Sequence, residues 1–246
     1  MYLINKNISI VGGGLVGSLL SIYLKKQGAS VTVFDKRSDL RKDLAFGGRS
    51  INLALSNRGI RSLQKVGIDK DVLKISMPMC RRIMHSVDGA LTEQSYGVND
   101  ESIYSVSRKE LNAKLIDFAE NKSVKFRFNH ECNQLDIRNS KLSFKNKGSI
   151  VSDFIFGADG AGSIVRKTMH QLYEDIDVTE TFISHGYKEL TIPANLDGTH
   201  KLANNALHIW PRTSFMIIAL PNLDGTFTCT IFAPNKGKNS FGSIVS

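Results

Sequence analysis

A short apolar run, Ile8-Ser9-Ile10-Val11, opens directly onto Gly12-Gly13-Gly14. Beyond the glycines, apolar residues recur at helical spacing at Leu15, Val16, Leu19, Leu20, Tyr23 and Leu24, and Gly28 supplies a stop. The pattern predicts a buried strand followed by a helix over about 14–27. Ser30 to Phe34 is rich in β-branched residues and predicts a second strand ending at Asp35. The polar, glycine-containing stretch 36–50 predicts a loop, and 56–66 a short helix closed by Gly67. Ser107-Arg108-Lys109-Glu110 has the spacing of a capping box, which predicts a helix with Leu111, Leu115 and Phe118 on its buried face.

After Asn121 the period changes. The runs 124–128, 135–137, 142–144 and 150–156 predict short strands, punctuated by Asn139-Ser140 and Asn146-Lys147-Gly148. Together they predict a small antiparallel meander that returns to the first domain at Gly157. From about His185 a second sheet is predicted, with strands at 187–192, 206–210, 215–220 and 226–232. Pro193, Pro211-Arg212 and the Pro221 to Gly225 turn separate them, and no helical pattern intervenes. The fold class is therefore α/β, with a strand–helix–strand nucleotide-type domain and a second, mainly β domain.

With 246 residues the chain is long enough for one large or two modest domains. Its net charge of +9 comes from Lys and Arg spread along the chain, which predicts a solvated basic surface with a weak pull on anionic ligands. No nucleic-acid motif accompanies it. Cys80, Cys132 and Cys229 lie far apart without a CxxC pair, which argues against a disulfide framework or zinc site and for a reducing compartment. The N-terminus lacks the pattern of a secretory signal, and no run approaches the ~20 apolar residues of a spanning helix. A cytoplasmic location is the expectation.

Two glycine segments carry the chemistry. In the first, Gly12 suits a tight turn, Gly14 the close approach of a pyrophosphate, and Gly17 the packing of helix on strand. The free amides at the helix start then face the phosphates. Asp35 lies about where an acid is needed to accept ribose hydroxyls. This motif suits NAD as well as FAD. The second segment, Phe154 to Ser163, ends an apolar strand at Asp159-Gly160. Its carboxylate can accept from a bound ligand; equally, Asp159 or Ser163 can cap the helix that follows.

The pairing of the first segment with Phe156-Gly157-Ala158-Asp159-Gly160-Ala161-Gly162-Ser163-Ile164-Val165-Arg166 resembles the single-component FAD-dependent aromatic hydroxylases. The resemblance implies a Rossmann-like domain that holds FAD, with NADPH as co-substrate and no separate domain for it. The stretches 48–56, 105–108, 185–193, 207–212 and 215–222 are similar to the kynurenine-hydroxylating branch of that family. By that likeness Arg82 and Tyr96 bind the carboxylate of L-kynurenine. Arg81 is the neighbouring competitor, and the spacing to Tyr96 favours Arg82. Leu207, Ile218, Leu220 and Phe232 would wall the substrate ring, although ordinary sheet core uses the same residue types. Leu15, Lys36, Arg37, Ala54, Arg108, Asp159 and Gly160 would join Gly12, Gly14, Gly17 and Asp35 at FAD.

The implied domains are 1–75 with 100–180 for FAD, and 76–99 with 181–246 for substrate. The implied reaction is hydroxylation of L-kynurenine by O2 through a flavin C4a-hydroperoxide, in tryptophan degradation by the kynurenine pathway. It requires no metal and no side-chain nucleophile. Family members are roughly twice as long, and their Gly-Asp-Ala-Ala-His and Gly-Gln-Gly-x-Asn flavin segments have no match here, so an N-terminal portion is expected. Two alternatives stand: another flavin hydroxylase on the same fold, or a fragment without turnover.

Overall fold

A computed structural model describes residues 3–42, 51–98, 101–173 and 175–244. The first half contains β1 (Asn7–Val11), α1 (Leu15–Lys26), β2 (Ser30–Phe34), β3 (Asn52–Leu55), α2 (Asn57–Val66), α3 (Asp69–Leu73), β4 (Ser76–Met79), β5 (Arg81–His85), β6 (Leu91–Ser95), β7 (Ile103–Ser107) and α4 (Arg108–Asn121). There follow β8 (Lys125–Arg127), β9 (Cys132–Asp136), β10 (Lys141–Phe144), β11 (Gly148–Val151), β12 (Phe154–Gly157), α5 (Ile164–Leu172), β13 (His185–Ile192), β14 (Ala206–Pro211), β15 (Met216–Pro221) and β16 (Phe227–Pro234). Part of the predicted 36–50 loop, residues 43–50, lies outside the described residues, as do Gly48, Arg49 and Ser50 of the family-like stretch.

The chain divides into two units: Met1–Gly48, Lys65–Ile68 and Leu111–Glu180 in one, and Arg49–Gln64, Asp69–Glu110 and Thr181–Ser246 in the other. Segments 49–64, 69–75 and 100–110, expected with the nucleotide domain, thus group with the second unit.

In the first unit β1 is the middle of a parallel sheet of order β12-β1-β2-β8. Ile8, Ile10, Val31 and Val33 on one face, and Ser9, Val11 and Phe34 on the other, are all buried, as expected of a parallel sheet covered on both faces. The strand at 124–128 was expected in the meander; as β8 it instead pairs parallel with β2. The run 150–156 is two strands, not one. It breaks at Ser152-Asp153, where Asn7 N–H donates to Asp153 Oδ2 (2.7 Å) and Asp153 N–H to the Asn7 carbonyl (2.8 Å). Ser9 and Ser152 hydroxyls share a 2.6 Å hydrogen bond. These polar ties move the chain from the antiparallel β11-β10-β9 sheet onto β1. That small sheet buries Leu135, Leu142 and Phe144 against Val11, Phe34 and Val165, with Phe34 and Phe144 ring centroids 4.5 Å apart.

The helix predicted from Ser107 is α4, and Glu110 N–H donates to Ser107 Oγ at 3.3 Å. Leu111 and Leu115 are buried as expected, together with Asn112, Ile116 and Ala119. Phe118 is only half-buried, its ring covered by the Lys122 ammonium at 5.4 Å.

The second unit holds a six-stranded sheet of order β13-β16-β15-β14-β5-β6 and a three-stranded sheet β3-β7-β4. Side chains alternate between sheet faces, so register sorts them. One face of the large sheet closes a core of Ile83, Ala206, His208, Ala219, Phe227, Cys229 and Ala233, all buried. Among the described residues no helix is long and apolar enough to cross a membrane. All three cysteines are free.

Candidate functional site

In the first unit the two glycine segments, remote in sequence, become neighbours. Val11 pairs with Gly157 at the ends of parallel β1 and β12, and Ala158 N–H donates to the Val11 carbonyl at 2.7 Å. Because β2 flanks β1 on one side and β12 on the other, chain connections diverge at this carboxyl edge, the switch point where open α/β sheets receive ligands.

The glycines at this edge differ in what excludes a side chain. Gly12 has φ +105°, and a Cβ there would collide with the Ala158 backbone. A Cβ at Gly17 would strike the Gly12 carbonyl. Gly14, by contrast, has nothing within 4 Å of such an atom among the described residues, its own chain neighbours aside. It is the N-cap of α1, makes no side-chain cap, and no acid stands in the first turn. With that space beside Gly14 and no acid in the first turn of α1, the cradle fits a pyrophosphate. Leu15 is half-buried in that first turn.

Asp35, 6% exposed, ends the neighbouring strand. Its Oδ2 accepts from Gly13 N–H (2.8 Å) and Arg37 Nη2 (3.0 Å), and its Oδ1 from Arg37 N–H (2.8 Å) and Nε (3.1 Å). Burial pushes this carboxyl up, but the Arg37 side-chain bonds, the backbone bonds and the Arg37 charge together hold it below the usual range. Four donors fill the approximately four lone-pair sites of a carboxylate. A ribose hydroxyl therefore competes with Arg37, whose side chain is 57% exposed and free to turn away. Lys36 is exposed beside it.

Sequence reasoning missed the brace under this loop. Asn112 of α4 is 6% exposed and donates from Nδ2 to the Gly13 carbonyl at 3.2 Å; Ser18 Oγ donates to the same oxygen at 3.2 Å. The only hint in the sequence is a polar residue on the apolar face of α4. We expect Asn112→Leu to weaken FAD binding about tenfold, because the buried Gly13 carbonyl loses one of its two side-chain donors, keeping only Ser18, and a lost hydrogen bond of ~0.5–1.5 kcal/mol loosens the loop. Titration of the apoprotein with FAD, read by flavin fluorescence, checks this; unchanged affinity contradicts it.

At the second segment the geometry is that of a helix cap. Ser163 Oγ accepts from Arg166 N–H (3.0 Å) and donates to Asp159 Oδ1 (2.6 Å), while Ile164 N–H donates to Asp159 Oδ2 (2.8 Å). Asp159 thus serves α5 directly, the second of the two roles its sequence allowed. Gly160, at φ +79°, makes the turn that aims it.

In the second unit Ala54 pairs with Ser105 across β3 and β7, and Arg108 N–H donates to the Ile51 carbonyl at 3.1 Å. Asn52 Nδ2, which sequence reasoning also missed, donates to Ser105 Oγ (2.9 Å) and Asn222 Oδ1 (2.5 Å), tying β3 to the turn after β15.

The large sheet sorts the substrate residues. Arg82 pairs with Leu207, Ile209 with Ile218, Leu220 with Thr228, and Phe232 with Met216. Tyr96 N–H donates to the Cys80 carbonyl at 3.0 Å, extending the β5–β6 ladder. By this register Arg82, Tyr96, Leu207, Ile218, Leu220 and Phe232 all occupy one face, opposite the closed core. Leu220 is buried at 3% exposure; Tyr96, Leu207, Ile218 and Phe232 are half-buried and Arg82 is exposed.

The Arg82 guanidinium lies over the Tyr96 ring, 5.9 Å from its centroid, and makes no ion pair among the described residues. Arg81 points to the core face, where its buried Nε lies 3.3 Å from Glu93 Oε2 without hydrogen-bond alignment. Burial pushes the Tyr96 phenol up, and the Arg82 charge opposes this only partly, so the hydroxyl remains a donor.

Behind Arg82, His208 Nε2–H donates to the Ala203 carbonyl (2.9 Å), leaving Nδ1 to accept from His85 Nε2–H (2.9 Å). Burial lowers both histidines, and the His208 and Arg212 charges lower His85 further. His85 stacks on Trp210 at 4.2 Å. The pair is a neutral strut joining β5 to β14.

Comparison with known proteins agrees with this architecture. The profile of a family described as "FAD binding domain" matches residues 6–233. Kynurenine 3-monooxygenase of Christiangramia forsetii is 49% identical over 244 residues, covering 97% of this chain and 54% of the relative. The Dictyostelium discoideum enzyme of the same name is 44% identical, covering 98% and 53%. The chain spans about half the length of the curated relatives it matches. Among solved structures, 2-methyl-3-hydroxypyridine-5-carboxylic acid oxygenase superposes with TM-score 0.77 at 22% identity, over 94% of this chain and 59% of its own. A probable FAD-dependent monooxygenase from Pseudomonas aeruginosa gives 0.71 at 18%, over 94% and 61%. At these identities the structural likeness shows the fold alone.

Proposed function

Because the chain belongs to the FAD-binding-domain family, we propose that it forms the cofactor- and substrate-facing part of a kynurenine 3-hydroxylase. The reaction is L-kynurenine + NADPH + H+ + O2 → 3-hydroxy-L-kynurenine + NADP+ + H2O, a step of tryptophan degradation. The observation that carries it is the single face of the large sheet. There an arginine without an ion pair among the described residues stands over a tyrosine, beside an apolar wall that the core does not consume. The curated relatives named above support the substrate.

FAD, when bound, supplies electron transfer from NADPH and the activation of oxygen. The chain's own groups bind and orient. Gly14 and the α1 amides receive the pyrophosphate, and Asp35 the adenosine ribose once Arg37 turns aside. Arg82 takes the substrate carboxylate as a fork, and the Tyr96 hydroxyl donates a further hydrogen bond. Leu207, Ile218 and Phe232 offer the ring an apolar wall that keeps water from the reacting face. The aniline nitrogen of kynurenine already activates the position ortho to it, so no side-chain base is needed.

The test is a panel of ring acids incubated with the FAD-loaded protein, NADPH and air, with products separated by chromatography. One 3-hydroxykynurenine per NADPH, with L-kynurenine alone, is the expected result. Coupled hydroxylation of another ring acid instead, or NADPH oxidation without product, overturns the reading.

A further inference from the structure

The substrate face of the large sheet is built from two pieces. Arg82 lies in the β5–β6 hairpin and Tyr96 directly follows it, whereas Leu207, Ile218, Leu220 and Phe232 belong to β14, β15 and β16. Within the sheet the pieces meet along one seam, β5 against β14, with Arg82 beside Leu207. This seam differs from the other joints. Those are antiparallel, and tight turns set the register of β5–β6, β14–β15 and β15–β16. β5 and β14 instead pair in parallel, between segments more than a hundred residues apart, and no turn fixes where one stands against the other. A slip of two residues would keep every side chain on its face yet carry Arg82 ~7 Å along the wall.

Side chains remove this freedom at His85. Continuing the register one row past Met84 and Ile209 sets His85 opposite Trp210, on which it stacks at 4.2 Å. It also sets His85 diagonal to His208, to which its Nε2–H donates at 2.9 Å. Arg212 Nη1 donates to the His85 carbonyl at 3.0 Å. Because the Nε2–H of neutral His208 is held by the Ala203 carbonyl, its Nδ1 can only accept, and a donor on β5 is the complement it needs. After a two-residue slip His85 would face His208 or Arg212 instead of Trp210, and this combination of stack and hydrogen bond is lost.

We propose that His85 is a positioning residue for substrate binding: its ties to His208 and Trp210 hold the carboxylate-binding hairpin in step with the ring-binding wall. The proposal rests on the kynurenine reading and adds to it how the two halves of the site are kept in register. It predicts a loss confined to ligands that bridge the seam. L-Kynurenine bridges it, with its carboxylate on Arg82 and its ring on the wall. Kynurenamine, which lacks the carboxylate, rests on the wall alone and is indifferent to where Arg82 stands.

Kd values for both ligands are measured by titration calorimetry on the FAD-loaded protein. His85→Phe keeps a ring against Trp210 and removes the donor to His208, whereas His85→Gln restores an N–H at similar reach. His85→Phe should bind L-kynurenine about tenfold more weakly than the parent and kynurenamine within about twofold, with FAD affinity unchanged. His85→Gln should recover most of that loss. Urea unfolding followed by the emission of Trp210, the single tryptophan of the chain, checks that each variant is folded. His208→Leu removes the acceptor from the other side of the seam; it should reproduce the pattern of His85→Phe, and it carries the test if that variant does not fold. Equal losses of both ligands, or no loss of either, overturn the positioning role while the kynurenine reading stands. A glutamine variant as weak as the phenylalanine one overturns it too, since the hydrogen bond is then without effect. A parent that retains FAD yet binds neither ligand overturns the kynurenine reading itself.

Discussion

Replacing Arg82 by alanine should raise the KM for L-kynurenine about 100-fold while FAD stays bound. A charge-assisted, forked hydrogen bond to a carboxylate contributes ~1.5–3 kcal/mol, and the upper part of that range corresponds to about 100-fold. The geometry explains why the loss falls on binding. Arg82 is exposed, has the Tyr96 ring as its described partner, and lies on the face away from the core, so its removal leaves no cavity. Arg82→Lys keeps the charge without the fork and should cost about tenfold. Arg81→Ala is the control, since that side chain lies on the core face beside Glu93; we expect some loss of stability and a KM within about twofold of the parent. Steady-state kinetics on the three variants decide the matter. An unchanged KM in Arg82→Ala, or an equal rise in Arg81→Ala, removes Arg82 from the site.

The second large effect separates glycines that look alike in sequence. Gly14→Ala should leave the fold intact and lower FAD affinity by about 100-fold. Among the described residues, its own chain neighbours aside, nothing lies within 4 Å of the added methyl group, so the penalty arises from the ligand, and overpacking against a pyrophosphate falls at the upper end of ~1–3 kcal/mol. Gly12→Ala should do the reverse damage. Its φ of +105° and its contact with the Ala158 backbone leave nothing flexible to yield, so we expect a loss of about 3 kcal/mol. Against a total stability of ~5–15 kcal/mol this is visible as a large drop in the urea midpoint of the apoprotein. The paired measurement is urea unfolding without FAD and FAD titration of the folded form. If Gly14→Ala unfolds the apoprotein, or binds FAD normally, the cradle is assigned to the wrong glycine.

Local order was legible in the residues alone. β1, α1 and β2 follow from an apolar run, a helical period and the stops at Gly28 and Asp35, all within about thirty residues. The four strands from β13 to β16 follow from alternation between proline and glycine turns. The elements from β3 to β7 were harder to see. β6 is Leu-Thr-Glu-Gln-Ser with every residue exposed, so it carries no apolar alternation to betray it. β4 contains a proline, and α3 is too short for a helical period to show. The meander was misread at β8 because three residues look the same whether their partner is β2 or β9.

The sequence by itself determined the nucleotide motif, the residue types at the site and, through the family resemblance, the choice of Arg82 with Tyr96. Only the tertiary structure decided which of those residues share a surface. Leu207, Ile218 and Phe232 are chemically indistinguishable from core, and what separates them from Ala219 and Phe227 is the parity of pairing across β5, β14, β15 and β16. That parity is set by hydrogen-bond register, within hairpins from β14 to β16 and, where Arg82 meets Leu207, between segments more than a hundred residues apart. A shift of one residue would send every side chain of a strand to the other face, and no local pattern in an apolar strand records which register forms. The same holds for Gly12 and Gly14: the spacing names both, and only the packing of β12 beside β1 shows that one is filled by the protein and the other left open.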